Sequence, residues 1–163
     1  MRIIANLEVQ PNIDKGKLCE MLNQAYAAEM QSFYLYQTSS IIAIGLAKGS
    51  VAEEFDDHAE DELKHANQIA ERIQQIDGTK FVYHPEKVFM TGPCSAPLLK
   101  PLPDQLEPLI KINQEAEQCA IDLYKQIAAY TKDTDFTTYD LITDILAKEE
   151  EHSRDLKDLL SIK

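Results

Sequence analysis

The sequence predicts an all-α fold: four long helices in a bundle, with one long crossover between the second and the third. Three observations predict it. Apolar residues recur every three or four positions along four stretches of chain. Glycines, prolines and short polar side chains cluster between those stretches. A proline-rich segment of about 25 residues divides them into two pairs, and its length argues against simple up-down-up-down connections.

The first helix is expected from Asp14, as N-cap, to about Leu46, with Leu18, Leu22, Tyr26, Phe33, Tyr36 and Ala43 along its apolar stripe. Gly45 and Gly49 bracket a short connection. Ser50 with Glu53 reads as a capping box opening the second helix. That helix carries Val51, Phe55, Ile69, Ile73 and Ile76 and stops at Asp77-Gly78. So short a connection favours an antiparallel hairpin.

From Thr79 to Pro103, prolines at 85, 93, 97, 101 and 103 block regular helix and leave room for a short extended piece at Phe81-Val82-Tyr83. A helix of about 28 residues is roughly 42 Å long. About 13 extended residues cover that distance. The segment can therefore run the length of the bundle and leave the second and third helices parallel. Asp104 and Glu107 read as another capping box, with Pro108 in a tolerant first turn. The third helix then runs to about Tyr130 with Leu109, Ala116, Ala120, Tyr124 and Ile127 inward. After the polar turn Lys132–Asp135, the fourth runs from about Phe136 to Ile162 with Ile142, Ile145, Leu156 and Leu159 inward.

Composition bounds what such a bundle does. With 44% hydrophobic and 27% charged residues among 163, the chain buries a real core and is not disordered. Residues 1–163 read as a single domain. Sixteen basic against 28 acidic residues leave a net charge of −12, which argues against a basic nucleic-acid-binding face and for handling cations. The longest apolar run, around Ile41–Ala47, is too short to span a membrane. Met1–Asn6 lacks a signal-peptide pattern. Three cysteines, Cys19, Cys94 and Cys119, without CxxC spacing indicate neither a disulfide framework nor a cysteine zinc finger. A cytoplasmic protein is expected.

Polar residues interrupt the apolar stripes at particular places. Glu29 lies on the first helix, Glu62 and His65 on the second, Glu117 on the third, Glu149 and His152 on the fourth. One such Glu-x-x-His is unspecific. The arrangement is not: Glu29 and Glu62 are 33 residues apart, Glu117 and Glu149 are 32 apart, and each half reads Glu, a connection, then Glu-x-x-His. Each glutamate falls about 13 or 14 residues into its helix, so all four meet at one level, and Glu and His at i and i+3 share a face. Tyr36 and Tyr124 each follow the first Glu of their half by seven residues. Four buried carboxylates must take up protons or bind cations. Two divalent ions cancel the charge of four glutamates and two neutral histidines. A mixed carboxylate–imidazole set with shared glutamates suits iron or manganese better than magnesium or structural zinc.

This pattern resembles the ferritin-like di-iron carboxylate proteins over about four-fifths of the chain, and it matches the general template of one Glu from each of two helices and Glu-x-x-His from each of two others. The motifs EMQSFYLY (Glu29–Tyr36), ELKHA (Glu62–Ala66) and EEEH (Glu149–His152) look most like those of the bacterioferritins. The resemblance implies two irons per subunit, with manganese or zinc as substitutes: Glu29 and His65 complete one position, Glu117 and His152 the other, and Glu62 and Glu149 bridge. It makes Tyr36 a donor to a ligand glutamate and Tyr124 its pseudo-symmetric partner. Leu63 stands where bacterioferritins carry the haem-ligating Met, so Met-ligated haem is not expected. The sequence stops eleven residues after His152, too soon for the fifth helix of 24-subunit cages. With the long crossover and Cys94, this is similar instead to Dps-like miniferritins with a bacterioferritin-type site, the thioferritins, which form twelve-subunit shells. That subgroup has one cysteine in the crossover and one on the third helix, as Cys94 and Cys119 are placed. Cys119 lies about 200° around the helix from Glu117, away from the metals. The two are either a reversible disulfide or two buried thiols. Cys19 reads as structural. His58, one turn before Glu62, is either a base or iron-entry residue or a core histidine.

The resemblance thus implies a ferroxidase and iron-storage protein, oxidising Fe(II) with H2O2 or O2 and storing ferric iron in a homo-oligomeric shell. The rivals are a rubrerythrin-like peroxidase, which normally adds paired CxxC motifs absent here, and a longer manganese catalase. DNA binding is not expected: Met1–Lys17 holds only Arg2, Lys15 and Lys17, not a lysine-rich tail.

Overall fold

A computed structural model describes residues 13–82, 84–89, 93–94 and 100–161. The Met1–Asn6 stretch, Tyr83, Pro97 and Ile162 lie outside them. The order is α1 (Lys15–Ile42), α2 (Lys48–Asp77), a 3-10 turn (Gly78–Lys80), the short α3 (Pro85–Phe89), α4 (Leu106–Thr131) and α5 (Phe136–Ser161). Among the described residues there is no sheet, only an isolated parallel bridge between Ile44 and Gln105. No described helix is long and apolar enough to cross a membrane.

Helices α1 and α2 pair closely, as do α4 and α5, and the hairpins join chiefly across α1 and α4. Two apolar clusters fill the bundle. One gathers Leu18, Leu22, Ile69, Ile73, Ile127 and Ile142. The other gathers Phe55, Leu109, Ile110 and Leu156 below Tyr36. The first joins the start of α1 to the ends of α2 and α4, and the second joins the end of α1 to the starts of α2 and α4, so α2 and α4 are parallel. The end of α2 and the start of α4 therefore lie at opposite ends of the bundle, the separation that the length of the connection predicts.

Local details differ from the sequence reading. Asp14 does cap α1 through Lys17 N, but α1 ends at Ile42 and Leu46 is fully exposed. Ser50 does not open α2: the helix is already wound at Lys48, whose N–H bonds to Gly45 O, and Ser50 Oγ donates to the Ala47 carbonyl. Gly45 allows this early start because its φ of +132° is reserved for residues without a Cβ. Asp104 is not the cap of α4 either. Gln105 precedes the helix, the Asp104 carboxylate accepts from the Gln105 side chain, and its carbonyl accepts from Ile44 N at 2.8 Å. Pro85 does not block helix but begins one, the first turn being where a missing N–H costs nothing. Tyr26 and Phe33 are half-buried, Tyr26 meeting Phe81 of the crossover edge-on at 4.9 Å. Phe81 and Val82 form no strand.

Side chains of α1 hold the crossover. Asn23 donates to the carbonyls of Cys19 and Lys80 and accepts from Val82 N. The buried Gln31 amide donates to Val88 O on α3. From the other hairpin, Cys119 of α4 is joined to Cys94 by a disulfide, with the Cα atoms 5.9 Å apart. Cys19 is a free thiol buried in the core, and burial raises its pKa.

Candidate metal centre

Between the two apolar clusters lies a polar layer. Glu29, Glu62, His65, Glu117, Glu149 and His152 are all buried there, each at most 4% exposed. The helices bring them in because each sits one or two turns from core residues on the same stripe: Glu29 between Ala25 and Leu35, Glu62 and His65 between Phe55 and Ile69, Glu117 beside Ala116 and Ala120, Glu149 and His152 between Ile145 and Leu156. All six residues singled out by spacing therefore meet.

Their donor atoms fall into two groups. One oxygen or nitrogen each from Glu29, Glu62, His65 and Glu149 lie within 4.8 Å of one another, and so do those from Glu62, Glu117, Glu149 and His152. Glu62 and Glu149 belong to both. His65 Nδ1 stands 3.3 Å from Glu29, 3.4 Å from Glu62 and 2.8 Å from Glu149. His152 Nδ1 stands 3.1 Å from Glu62 and 3.7 Å from Glu117. The tyrosines cross over between hairpins: Tyr36 donates to Glu117 Oε1, and Tyr124 donates to Glu29 Oε1.

Electrostatics show how much the cluster wants positive charge. Burial, then repulsion from neighbouring glutamates, pushes the carboxyls of Glu62 and Glu149 well above the ordinary range. Burial opposes a charge on His65, but its contacts with Glu149 and Glu29 prevail and raise its pKa to about 10. Burial and the neighbouring His152 lower His58 to about 4. Among the described residues no aligned hydrogen-bond donor serves Glu62 Oε2, Glu117 Oε2 or either oxygen of Glu149. Against so many buried carboxyl oxygens His65 Nδ1 is a single nearby cationic group, 2.8 Å from Glu149 and 3.4 Å from Glu62, and cations between the glutamates would lower the cost of burying them. The donor set, carboxylates with imidazoles in two overlapping groups, is of a kind that holds cations.

His58 is buried on the same face, stacked on His152 with ring centroids 4.0 Å apart. Leu63 points outward and is 39% exposed. One contact escaped the sequence reading: Asp61 Oδ2 lies 3.4 Å from His152 Nε2, the nitrogen facing away from the glutamates. Only a cross-helix distance reveals it, because an Asp on the polar side of a helix has no periodic signature. A surface cleft of about 300 Å³ lined by Asp61, Lys64, Gln68, Asp144 and Lys148 includes His65 in its wall.

Comparisons with known proteins concern the fold and the family. The structure is similar to that of a dodecameric thioferritin, the bacterioferritin-related protein from Bacteroides fragilis: 36% identity, TM-score 0.87, covering 94% of this chain and 89% of that one. In sequence the chain is similar to a DNA protection during starvation protein of Pyrococcus furiosus, 31% identical over 91% of this chain and 80% of the relative. It is also similar to a bacterioferritin of Desulfovibrio desulfuricans, 28% identical over 85% and 71%. A DPS protein from Vibrio cholerae O1 shares the fold alone, with TM-score 0.83 at 14% identity over 99% of both chains. The ferritin-like domain model matches residues 19–162, and the chain belongs to that family.

Proposed function

We propose that the protein is a ferroxidase: it takes up Fe(II) as substrate at two adjacent positions in each subunit, oxidises it with H2O2 or O2, and stores the ferric product inside a shell of twelve copies. The observation that carries this reading is the pair of four-residue donor groups sharing Glu62 and Glu149. In it, Glu29 with His65 and Glu117 with His152 each complete one position. The dodecameric state of the Bacteroides fragilis relative supports the shell.

Each residue has a part that follows from its chemistry. The anionic oxygens favour the higher charge of Fe(III), so the pocket itself lowers the cost of oxidation. Two Fe(II) give the two electrons that one H2O2 needs, and with two protons the products are two waters and two Fe(III). Tyr36 and Tyr124 hold Glu117 and Glu29 by one oxygen, leaving the other to face the ions. Asp61 accepts from His152 Nε2–H and so presents Nδ1 inward as a lone pair. The cleft beside His65 gives the oxidant a path to the buried ligands. Cys94 and Cys119 form a redox pair at the outer face of α4, opening to thiols under reducing conditions. Leu63 leaves no sulfur for haem.

The test is Fe(II) titration under air and again with peroxide, followed by ferric absorbance, with light scattering on the eluted oligomer. The wild type oxidises two Fe(II) per chain in a fast phase and then accumulates ferric mineral as a dodecamer. A Glu62→Ala, Glu149→Ala variant loses the fast phase. A fast phase surviving in that variant contradicts the assignment.

A further inference from the structure

Among the described residues, a further set of side chains of metal-ligand type converges outside the six-residue centre. Glu54 and His58 lie one turn apart on α2, and Asp155 faces them from α5. His58 Nε2 is 3.2 Å from Glu54 Oε1 and 3.7 Å from Asp155 Oδ2, and donor atoms of the three lie within 4.8 Å of one another. The exposure is graded: the His58 side chain is 4% exposed, those of Glu54 and Asp155 are 37% and 39%. We propose that Glu54, His58 and Asp155 form a third cation site for a divalent transition metal such as Fe(II), and that the ion passes from it toward the centre.

Two observations go beyond an acidic surface patch. The first is the placement of His58. It is almost fully buried and aims Nε2 between two carboxylates, while its Nδ1 is buried with no hydrogen-bond partner. Nε2 is the one nitrogen facing the two carboxylates and can offer them at most a single N–H, whereas one cation serves all three groups. Imidazole among carboxylates selects iron, manganese or zinc over magnesium or calcium. The second is position. The same imidazole also falls within 4.8 Å of donor atoms of Glu117 and His152, and it stacks on His152. His58 thus belongs at once to an outer, half-exposed group and to an inner group containing two residues of the centre. Three protein donors leave coordination positions for water, which suits an ion in transit rather than one held permanently. The delivery role rests on reading the six-residue centre as the oxidation site. The cation site does not.

Titration of metal-stripped protein with Co(II), with anomalous diffraction from soaked crystals, separates these claims. Wild-type protein is expected to bind three Co(II) per chain, with one peak among Glu54, His58 and Asp155. The Glu54→Gln, Asp155→Asn variant, whose substitutions are isosteric and half-exposed, is expected to bind two. At limiting Fe(II) it should oxidise about tenfold more slowly, with its maximal rate unchanged. Only two Co(II) in the wild type, or three in the variant, overturns the site, and an unaltered rate at limiting Fe(II) overturns delivery. In the Glu62→Ala, Glu149→Ala variant the outer peak should remain alone. If all three ions persist there, the reading of the six-residue centre fails while the outer site stands.

Discussion

The two hairpins repeat one another around the centre, and the places where the repeat breaks are the informative ones. Glu29, Tyr36, Glu62 and His65 correspond to Glu117, Tyr124, Glu149 and His152, and each tyrosine serves the other hairpin's glutamate. One residue before the paired Glu-x-x-His motifs the halves diverge: Asp61 in one, Lys148 in the other. The two face each other at 3.5 Å, and Asp61 also supports His152 from behind. The described residues place no carboxylate behind His65, which instead lines the cleft together with Lys148. Four residues before the motif, His58 corresponds to Ile145. Two residues after the first glutamate, Gln31 corresponds to Cys119, and both anchor the crossover, by a hydrogen bond to Val88 and by a disulfide to Cys94. The shared residues are those that hold charge at the middle. The unshared ones make one half braced and the other open.

The largest expected effect separates the two anchors. Cys119→Ser removes a crosslink closing a loop of 25 residues, which costs about 3 kcal/mol of stability. Gln31→Ala removes a buried hydrogen bond and costs about 1 kcal/mol. Urea unfolding of both variants under oxidising conditions checks the order, and equal losses would break the contrast. A second experiment sharpens the braced-versus-open distinction. Asp61→Asn is expected to weaken metal binding about 10- to 100-fold at the Glu117–His152 position only. Lys148→Met, at the corresponding place, should change affinity less than about threefold, because that lysine is half-exposed and its ion pair is screened by solvent. Calorimetric Co(II) titration in the Glu54→Gln, Asp155→Asn background, expected to leave only these two positions, resolves them, and equal weakening of both by either variant would remove the asymmetry.

A smaller effect comes from pH. The folded values of Glu62, Glu149 and His65 all lie above their ordinary ones, so the folded metal-free protein holds extra protons. Stability from these groups is complete below the unfolded values and is lost as pH rises through the folded ones, up to about 10 for His65. Glu117 moves the other way: burial raises it, but contacts with His152, Glu149 and Tyr36 hold it below the usual range, so it acts only in acid. His58, lowered to about 4, opposes the trend only below its ordinary value. From pH 9 down to 7, chelator-stripped protein should therefore gain about 1 kcal/mol per pH unit in thermal unfolding. Metal-loaded protein should show a flatter profile, since bound cations displace those protons. A stripped protein that loses stability over that range would contradict the charge assignment.

Much of this was legible in the sequence because burial leaves a period. Ile69, Ile73, Ile127 and Ile142 mark stripes, and glutamates placed on those stripes at matched spacing have no reason to be there unless they meet. The helix starts were less legible. Ser50 and Asp104 carry strong local capping signals, but Gly45 winds α2 earlier and Ile44 engages the Asp104 backbone, both consequences of the folded chain. The Pro85 helix was hidden because the same residue breaks helices in the interior and starts them at the first turn. Asp61, Glu54 and Asp155 were hidden because carboxylates abound on the wet faces of helices: Asp61 and Asp155 find their histidines only through the packing of α2 against α5, and the Glu54–His58 pair within α2 looks like any other i,i+4 contact.

The central claim is that Glu62 and Glu149 are shared between two metal positions. Anomalous diffraction at the iron edge from crystals soaked anaerobically in Fe(II) tests it most directly. Two peaks about 3.5–4 Å apart are expected between the hairpins, one beside Glu29 and His65 and the other beside Glu117 and His152, with both shared carboxylates between them. A single peak, or none among these six residues, would contradict it.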